Sequence, residues 1–287
     1  MATPMLTAPD HIQPFALRRT FREDWSGGID PNIWTTHYTY LGDTQASSAS
    51  LLSRRGNVSE LECYVDPAFN GVDPFTTDSH GLTITATRTP DALLDTVGGR
   101  PFMSGMVDSF WGFSQLYGYF EWRGVLPNDG AGAPVPGVWP AFWHATNPAH
   151  LEQDRSECDA LEVAGEFDPL TLLGKAHSTL HWPAGGAMTK WSLAIERANL
   201  YDGSSHAWGT LWTPDIVAFY FDHQLAGSIA APSALVDPWT CIMNLAIGGR
   251  WPDSMNPELL PPNTTVPYPA FTQAQFRCSE LNVYALK

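Results

Sequence analysis

Apolar and polar positions alternate in short runs along most of this chain, and turn residues part the runs at close intervals. The clearest runs are 81–86, 117–125, 157–163, 176–182, 207–212, 216–222, 241–247 and 276–286. A period of two predicts β-strands, because successive side chains of a strand point to opposite faces. Trp212-Thr213-Pro214-Asp215-Ile216 reads as a turn between two antiparallel strands, since proline cannot donate in a central ladder and Pro-Asp favours a turn. Asp222-His223-Gln224 opens the next one. No helical period lies between the runs, which favours an all-β sandwich of two antiparallel sheets packed face to face. Residues 1–20 are Pro-punctuated and lack a periodic apolar pattern, so they form an extended lead-in to a single domain over 21–287. No internal repeat or linker divides that span.

Composition narrows the function more than the fold. The chain carries 24 Gly, 24 Pro and 12 Trp but only 15 Lys+Arg against 30 Asp+Glu, a net charge of −15. Nucleic acids and anionic membranes are held by clustered cations, so neither is an expected partner. A neutral partner fits better, and Trp serves either as core or as a flat surface on which sugar rings stack. Cys63, Cys158, Cys241 and Cys278 are widely spaced and form no C-x-x-C pair, which argues against zinc and redox motifs. Three of them lie in strand runs and are read as buried free thiols. No stretch reaches the roughly 18 apolar residues of a membrane span. The opening MATPMLTAPD lacks the charged start and apolar run of a secretory signal.

One strand run holds chemistry. In Ser156-Glu157-Cys158-Asp159-Ala160-Leu161-Glu162-Val163 three acids interrupt an apolar stretch. Regular alternation puts Glu157 and Asp159 on one face and turns Glu162 into the core, where an unpaired carboxylate is strongly disfavoured. A β-bulge at Ala160-Leu161 resolves the conflict by returning Glu162 to the acid face. A row of carboxyl groups then stands where glycoside hydrolysis needs an attacking carboxylate and a proton donor, with Asp159 between them to push their pKa values apart. On a solvated edge strand the same acids would do nothing, or bind a cation, and E-x-D-x-x-E alone does not decide.

The flanking blocks do. Ser104-Gly105 with Phe113, then 117–123 (Tyr-Gly-Tyr-Phe-Glu-Trp-Arg), 137–143 (Gly-Val-Trp-Pro-Ala-Phe-Trp), the acid run, 177–182 (His-Ser-Thr-Leu-His-Trp), 212–215 and 244–252 follow one another in order. In these blocks the chain resembles glycoside hydrolase family 16, the laminarinase and lichenase group of β-jelly-roll enzymes with a concave substrate cleft. The resemblance covers about residues 20–287. It implies a retaining, endo-acting enzyme on β-1,3/β-1,4 linkages of a glucan or bacterial exopolysaccharide, with Glu157 as nucleophile, Asp159 as assisting acid and Glu162 as general acid/base. It further implies substrate contacts from Trp139, Trp143, Glu121, Arg123, His181, Asn244 and Trp251. Trp139 is favoured over Trp143 as the sugar contact, and only one of Phe142 and Trp143 should reach the cleft. Arg123, Glu121 and Tyr119 alternate onto one face, and their charge assigns that face to the cleft. Glu166 and Asp168 are read as solvated acids of a turn.

Many relatives carry a structural calcium between an acid near the first strand and an Asp in the last. Here Glu23 or Asp24 stands at one end, but Ser279 takes the other position, so no cofactor and no metal is expected. His177 and His181 are four apart in a β-run and share a strand face with Thr179, which does not suggest zinc. The implied partner is a polysaccharide substrate met outside the cell or in the periplasm by a monomer. A non-catalytic lectin-like module and a transglycosylase share the same sandwich and remain as alternatives.

Overall fold

The computed structural model describes residues 7–37, 60–147, 155–249 and 272–286. The strands in the first half of the chain are β1 (Arg18–Glu23), β2 (Glu62–Tyr64), β3 (Phe75–Asp78), β4 (Gly81–Arg88), β5 (Phe102–Ser104), β6 (Met106–Asp108), β7 (Gly118–Val125) and β8 (Val138–Ala145). They are followed by β9 (Glu157–Glu162), β10 (Phe167–Asp168), β11 (Leu173–Ala184), β12 (Ala187–Ala198), β13 (His206–Trp212), β14 (Ile216–Phe221), β15 (Gln224–Ala230), β16 (Ile242–Ile247) and β17 (Gln273–Ala285). Among the described residues there is no α-helix. A ten-stranded sheet runs β15-β14-β13-β7-β17-β4-β5-β2, with β1 beside β17 and β3 beside β4. A seven-stranded sheet runs β10-β11-β9-β8-β16-β6, with β12 beside β11. This is the expected two-sheet architecture.

The two sheets enclose one main core. Phe120 and Trp122 of β7 and Trp208 and Trp212 of β13 meet Phe142 of β8, Cys158 and Leu161 of β9, Leu180 of β11 and Leu245 of β16. Trp212 stacks on Trp239 at 4.0 Å between ring centroids, so much of the tryptophan is core filler. All four cysteines are free and buried. The turn from β14 to β15 has Asp222 and His223 at φ 46° and 67°, the pair of positive values that a tight hairpin turn requires.

The outer face of the ten-stranded sheet is covered as well. Tyr119, Leu211, Ile216, Ala218, Tyr220 and Tyr284 pack there against Ile12, with Ala8 and Leu17 at the margin. Backbone bonds from Ile12 N to His223 O (3.0 Å) and from Leu225 N to Asp10 O (2.9 Å) hold this segment down. The lead-in is thus docked on the sheet, and strand β1 already begins at Arg18 rather than after residue 20.

Candidate active site

The face of the seven-stranded sheet turned away from the core carries the acids. Across the β8 ladder Glu157 faces Ala145, Asp159 faces Trp143, Leu161 faces Phe142 and Glu162 faces Ala141, leaving Ala160 without a partner. Across the β11 ladder Glu157 faces His181, Asp159 faces Thr179 and Glu162 faces His177, so the pair Ala160-Leu161 opposes Ser178 alone. This is a β-bulge of two residues against one. Both bulge residues pack into the core, and Glu157, Asp159 and Glu162 come to share the opposite face. A bulge leaves backbone groups outside the ladder; here the Ala160 carbonyl accepts a hydrogen bond from the Ser178 hydroxyl (2.8 Å).

Neighbouring strands complete the surface. Trp139 Nε1 donates to Glu162 Oε1 (3.1 Å). His181 Nε2 lies 3.3 Å from Asp159 Oδ2 and 3.9 Å from Glu157 Oε1. Trp143 Nε1 donates to Asn244 Oδ1 (2.8 Å), and the Asn244 amide donates to the Tyr64 hydroxyl (2.9 Å). Trp139 is half-buried while Trp143 is buried, and Phe142 points into the core. Ligand atoms of Glu157, Asp159 and His181 lie within 4.8 Å of one another, a spacing that a cation could bridge. The chemistry proposed below uses the same carboxyl groups and leaves none to spare.

The three acids do not titrate alike. Burial, then the charges of Asp159 and Glu157, hold the Glu162 carboxyl well above the ordinary carboxylate range. Burial, then Glu157, raises Asp159 as well, against a hydrogen bond from Glu162. Glu157 is raised by burial, with the nearby His181 imidazole opposing the shift. His181 opposes the rise at both Glu157 and Glu162, but at Glu162 the charges of Asp159 and Glu157 outweigh it and favour the acid form.

These shifts have a cost in stability. A carboxyl group whose pKa is higher in the folded chain binds its proton more tightly there than when unfolded. Its contribution is full at pH below the ordinary values, 4.5 for Glu and 3.8 for Asp, and is lost as pH rises from there toward the raised folded value. Asp159→Asn and Glu162→Gln are accordingly expected to melt higher than the native chain at pH 7, by about 2–4 °C for each kcal/mol of relieved charge burial. The gap should close near pH 4; thermal melts at both pH values, with a lower Tm at pH 7, would refute it.

Several expectations need correction. Glu121 and Arg123 do not reach the acids: they lie on β7 of the other sheet, on its outer face with Tyr119. There Arg123 Nε donates to Glu121 Oε1 (2.6 Å), the Tyr119 hydroxyl donates to Glu121 Oε2 (3.1 Å) and His223 Nε2 lies 2.8 Å from Glu121 Oε2. Alternation identifies residues that share a face but not the sheet to which the face belongs. Glu166 is not a solvated acid, for it is tied to His177 Nε2 at 2.5 Å; Asp168 is exposed as read. Trp251 lies outside the described residues. The acids at the expected calcium position are committed elsewhere: Glu23 accepts from Trp25 N (2.8 Å) and Trp34 Nε1 (2.9 Å), and Asp24 pairs with Arg22 at 2.8 Å. Sequence reasoning missed Tyr64, whose hydroxyl accepts from the Asn244 amide.

The profile of Glycosyl hydrolases family 16 matches residues 67–265. The chain belongs to this family. It is 33% identical over 223 residues to the endo-1,3-1,4-beta-glycanase ExsH of Rhizobium meliloti (strain 1021), a match spanning 76% of this chain and 42% of that protein. It is 32% identical over 242 residues to the endo-1,3-1,4-beta-glycanase EglC of the same organism, spanning 81% and 47%. The chain thus spans under half the length of these curated relatives. Its fold is that of the laminarinase catalytic domain of Thermotoga maritima MSB8, with a TM-score of 0.66 at 22% identity over 94% of this chain and 99% of that one.

Proposed function

We propose that this family 16 chain is an endo-acting hydrolase of β-1,3/β-1,4-linked glucan or a related exopolysaccharide, working by double displacement with retention. Glu157, in its ionised form, attacks the anomeric carbon and forms a glycosyl ester as the glycosidic oxygen leaves. Glu162 protonates the departing glycosidic oxygen, then takes a proton from the water that hydrolyses the ester. Asp159, between them, accepts a hydrogen bond from Glu162 and keeps its proton in place until the leaving oxygen needs it. The observation that carries this reading is the bulge at Ala160-Leu161, which sets the third acid on the same face as the first two. Trp139, half-buried and bonded to Glu162, supplies a flat surface next to the proton donor. The linkage assignment draws on the two endo-1,3-1,4-beta-glycanase relatives. No helix among the described residues is long and apolar enough to cross a membrane. Since polymers of this size are met outside the cytoplasm, we assign the activity there.

Proton NMR of the first products from barley mixed-linkage β-glucan tests the mechanism. The new reducing ends should appear as the β-anomer and mutarotate afterwards, while viscosity falls early. An α-anomer formed first would rule out double displacement. Binding without any reducing ends would make the chain a lectin-like module.

A further inference from the structure

Glu162 is the last residue of β9, set between Ala141 of β8 and His177 of β11. The chain beyond it turns back: Gly165 takes φ 78°, a conformation open to glycine without penalty. Glu166 then bonds to β11 twice, through its backbone carbonyl to Lys175 N (3.1 Å) and through its carboxylate to His177 Nε2 (2.5 Å). His177 is the residue directly opposite Glu162 across the β9/β11 ladder. The covalent turn, the Glu166 to His177 contact and the ladder therefore close a ring around Glu162. Lys175, two residues along the same strand face, braces the ring by lying 3.8 Å from Glu166 Oε1 and 3.4 Å from Glu196 Oε1 of β12. Glu166 and His177 are each about one-fifth exposed, at 20% and 19% of their side chains. Their contact is therefore little screened by water, unlike the exposed ion pairs that contribute little.

We propose that Glu166 and His177 are positioning residues for Glu162, fixing where its carboxyl meets the leaving oxygen. The inference rests on the acid/base reading of Glu162 given above. Misplacing a reacting group by about 1 Å can cost as much as 10²-fold in rate, so the ring acts on protonation of the leaving group and not on sugar binding.

The test is leaving-group dependence. Glu166→Gln and His177→Gln are compared with the native chain on mixed-linkage β-glucan, whose leaving sugar must be protonated, and on a 2,4-dinitrophenyl β-oligoglucoside, whose leaving group departs unprotonated. Expected on the glucan is a fall in kcat of about 10- to 100-fold with KM within about twofold. On the dinitrophenyl substrate the loss in kcat/KM, which reports ester formation alone, should stay under about threefold. Lys175→Met, which removes the brace but spares the Glu166 to His177 contact, should lose under about threefold on both. Equal losses on the two substrates, no loss, or a large loss in Lys175→Met would overturn the proposal. Glu166→Gln is nearly isosteric, and an unchanged Tm confirms that it folds. Glu162→Gln separates the two readings: if that variant shows no leaving-group dependence, the acid/base assignment itself has failed.

Discussion

Glu157→Gln should reduce hydrolysis of β-glucan to background, a fall beyond the roughly 10²–10⁴ that loss of a general acid–base group costs. The amide keeps the shape and hydrogen-bonding reach of the carboxyl group but cannot form the glycosyl ester. Sugar affinity should survive, because the half-buried Trp139 beside the acids is untouched, and calorimetry with a β-glucan oligosaccharide should give a Kd within a few-fold of the native chain. In Glu157→Ala, where truncation makes room for it, azide should restore turnover on an activated substrate and yield the α-glycosyl azide by a single inversion. Undiminished activity in Glu157→Gln would remove Glu157 from the mechanism.

A different pattern is expected of Glu162→Gln. Glucan hydrolysis should fall by about 10²–10⁴-fold, while a dinitrophenyl substrate still forms the ester at close to the native rate. The pH profile carries the sharper signature. Activity requires Glu157 ionised and Glu162 protonated, and burial raises both, Glu162 further because Asp159 and Glu157 add their charges. The active window therefore lies above the ordinary carboxylate range, opening as Glu157 loses its proton and closing on the alkaline side as Glu162 does. In Glu162→Gln the alkaline limb should vanish from the residual activity on the dinitrophenyl substrate. A limb that persists unchanged would assign it to another group.

The strands that could be read in the sequence were apolar or alternating runs between turns, whether buried on both faces like β14 and β16 or alternating in burial over part of their length like β11 and β17. Each of the eight apolar runs corresponds to a strand, β4, β7, β9, β11, β13, β14, β16 and β17. Strand β8 was obscured by Pro140, which removes a donor from the middle of a sheet. The structure accommodates it because Pro140 and Leu245 form a pair that exchanges no backbone bonds: the Pro140 carbonyl accepts from Val163 N (3.4 Å) past the end of β9, and Leu245 N donates to Gly105 O (3.2 Å) on the opposite side. Edge strand β12 was missed although Trp191, Leu193 and Ile195 alternate along it, since most of its other side chains are exposed. Within the site, the parity of Glu157, Asp159 and Glu162 required the bulge before any coordinates were known. What parity could not supply was the third dimension: which sheet receives Glu121 and Arg123, or that a turn brings Glu166 back to His177. Those are contacts between segments far apart along a ladder, and no local pattern encodes them.

The unpaired Ala160 has a further implication. A strand with one residue fewer, Glu-x-Asp-x-Glu, would alternate regularly and still set all three acids on one side. The additional residue is thus not what makes such a strand reactive. Its effect is curvature, because a bulged strand bends and twists more than its partners. In this chain the bend falls between Asp159 and Glu162, in the floor between the proposed nucleophile and proton donor. The curvature of the floor on which a polymer would lie is consequently set in part by the backbone of β9.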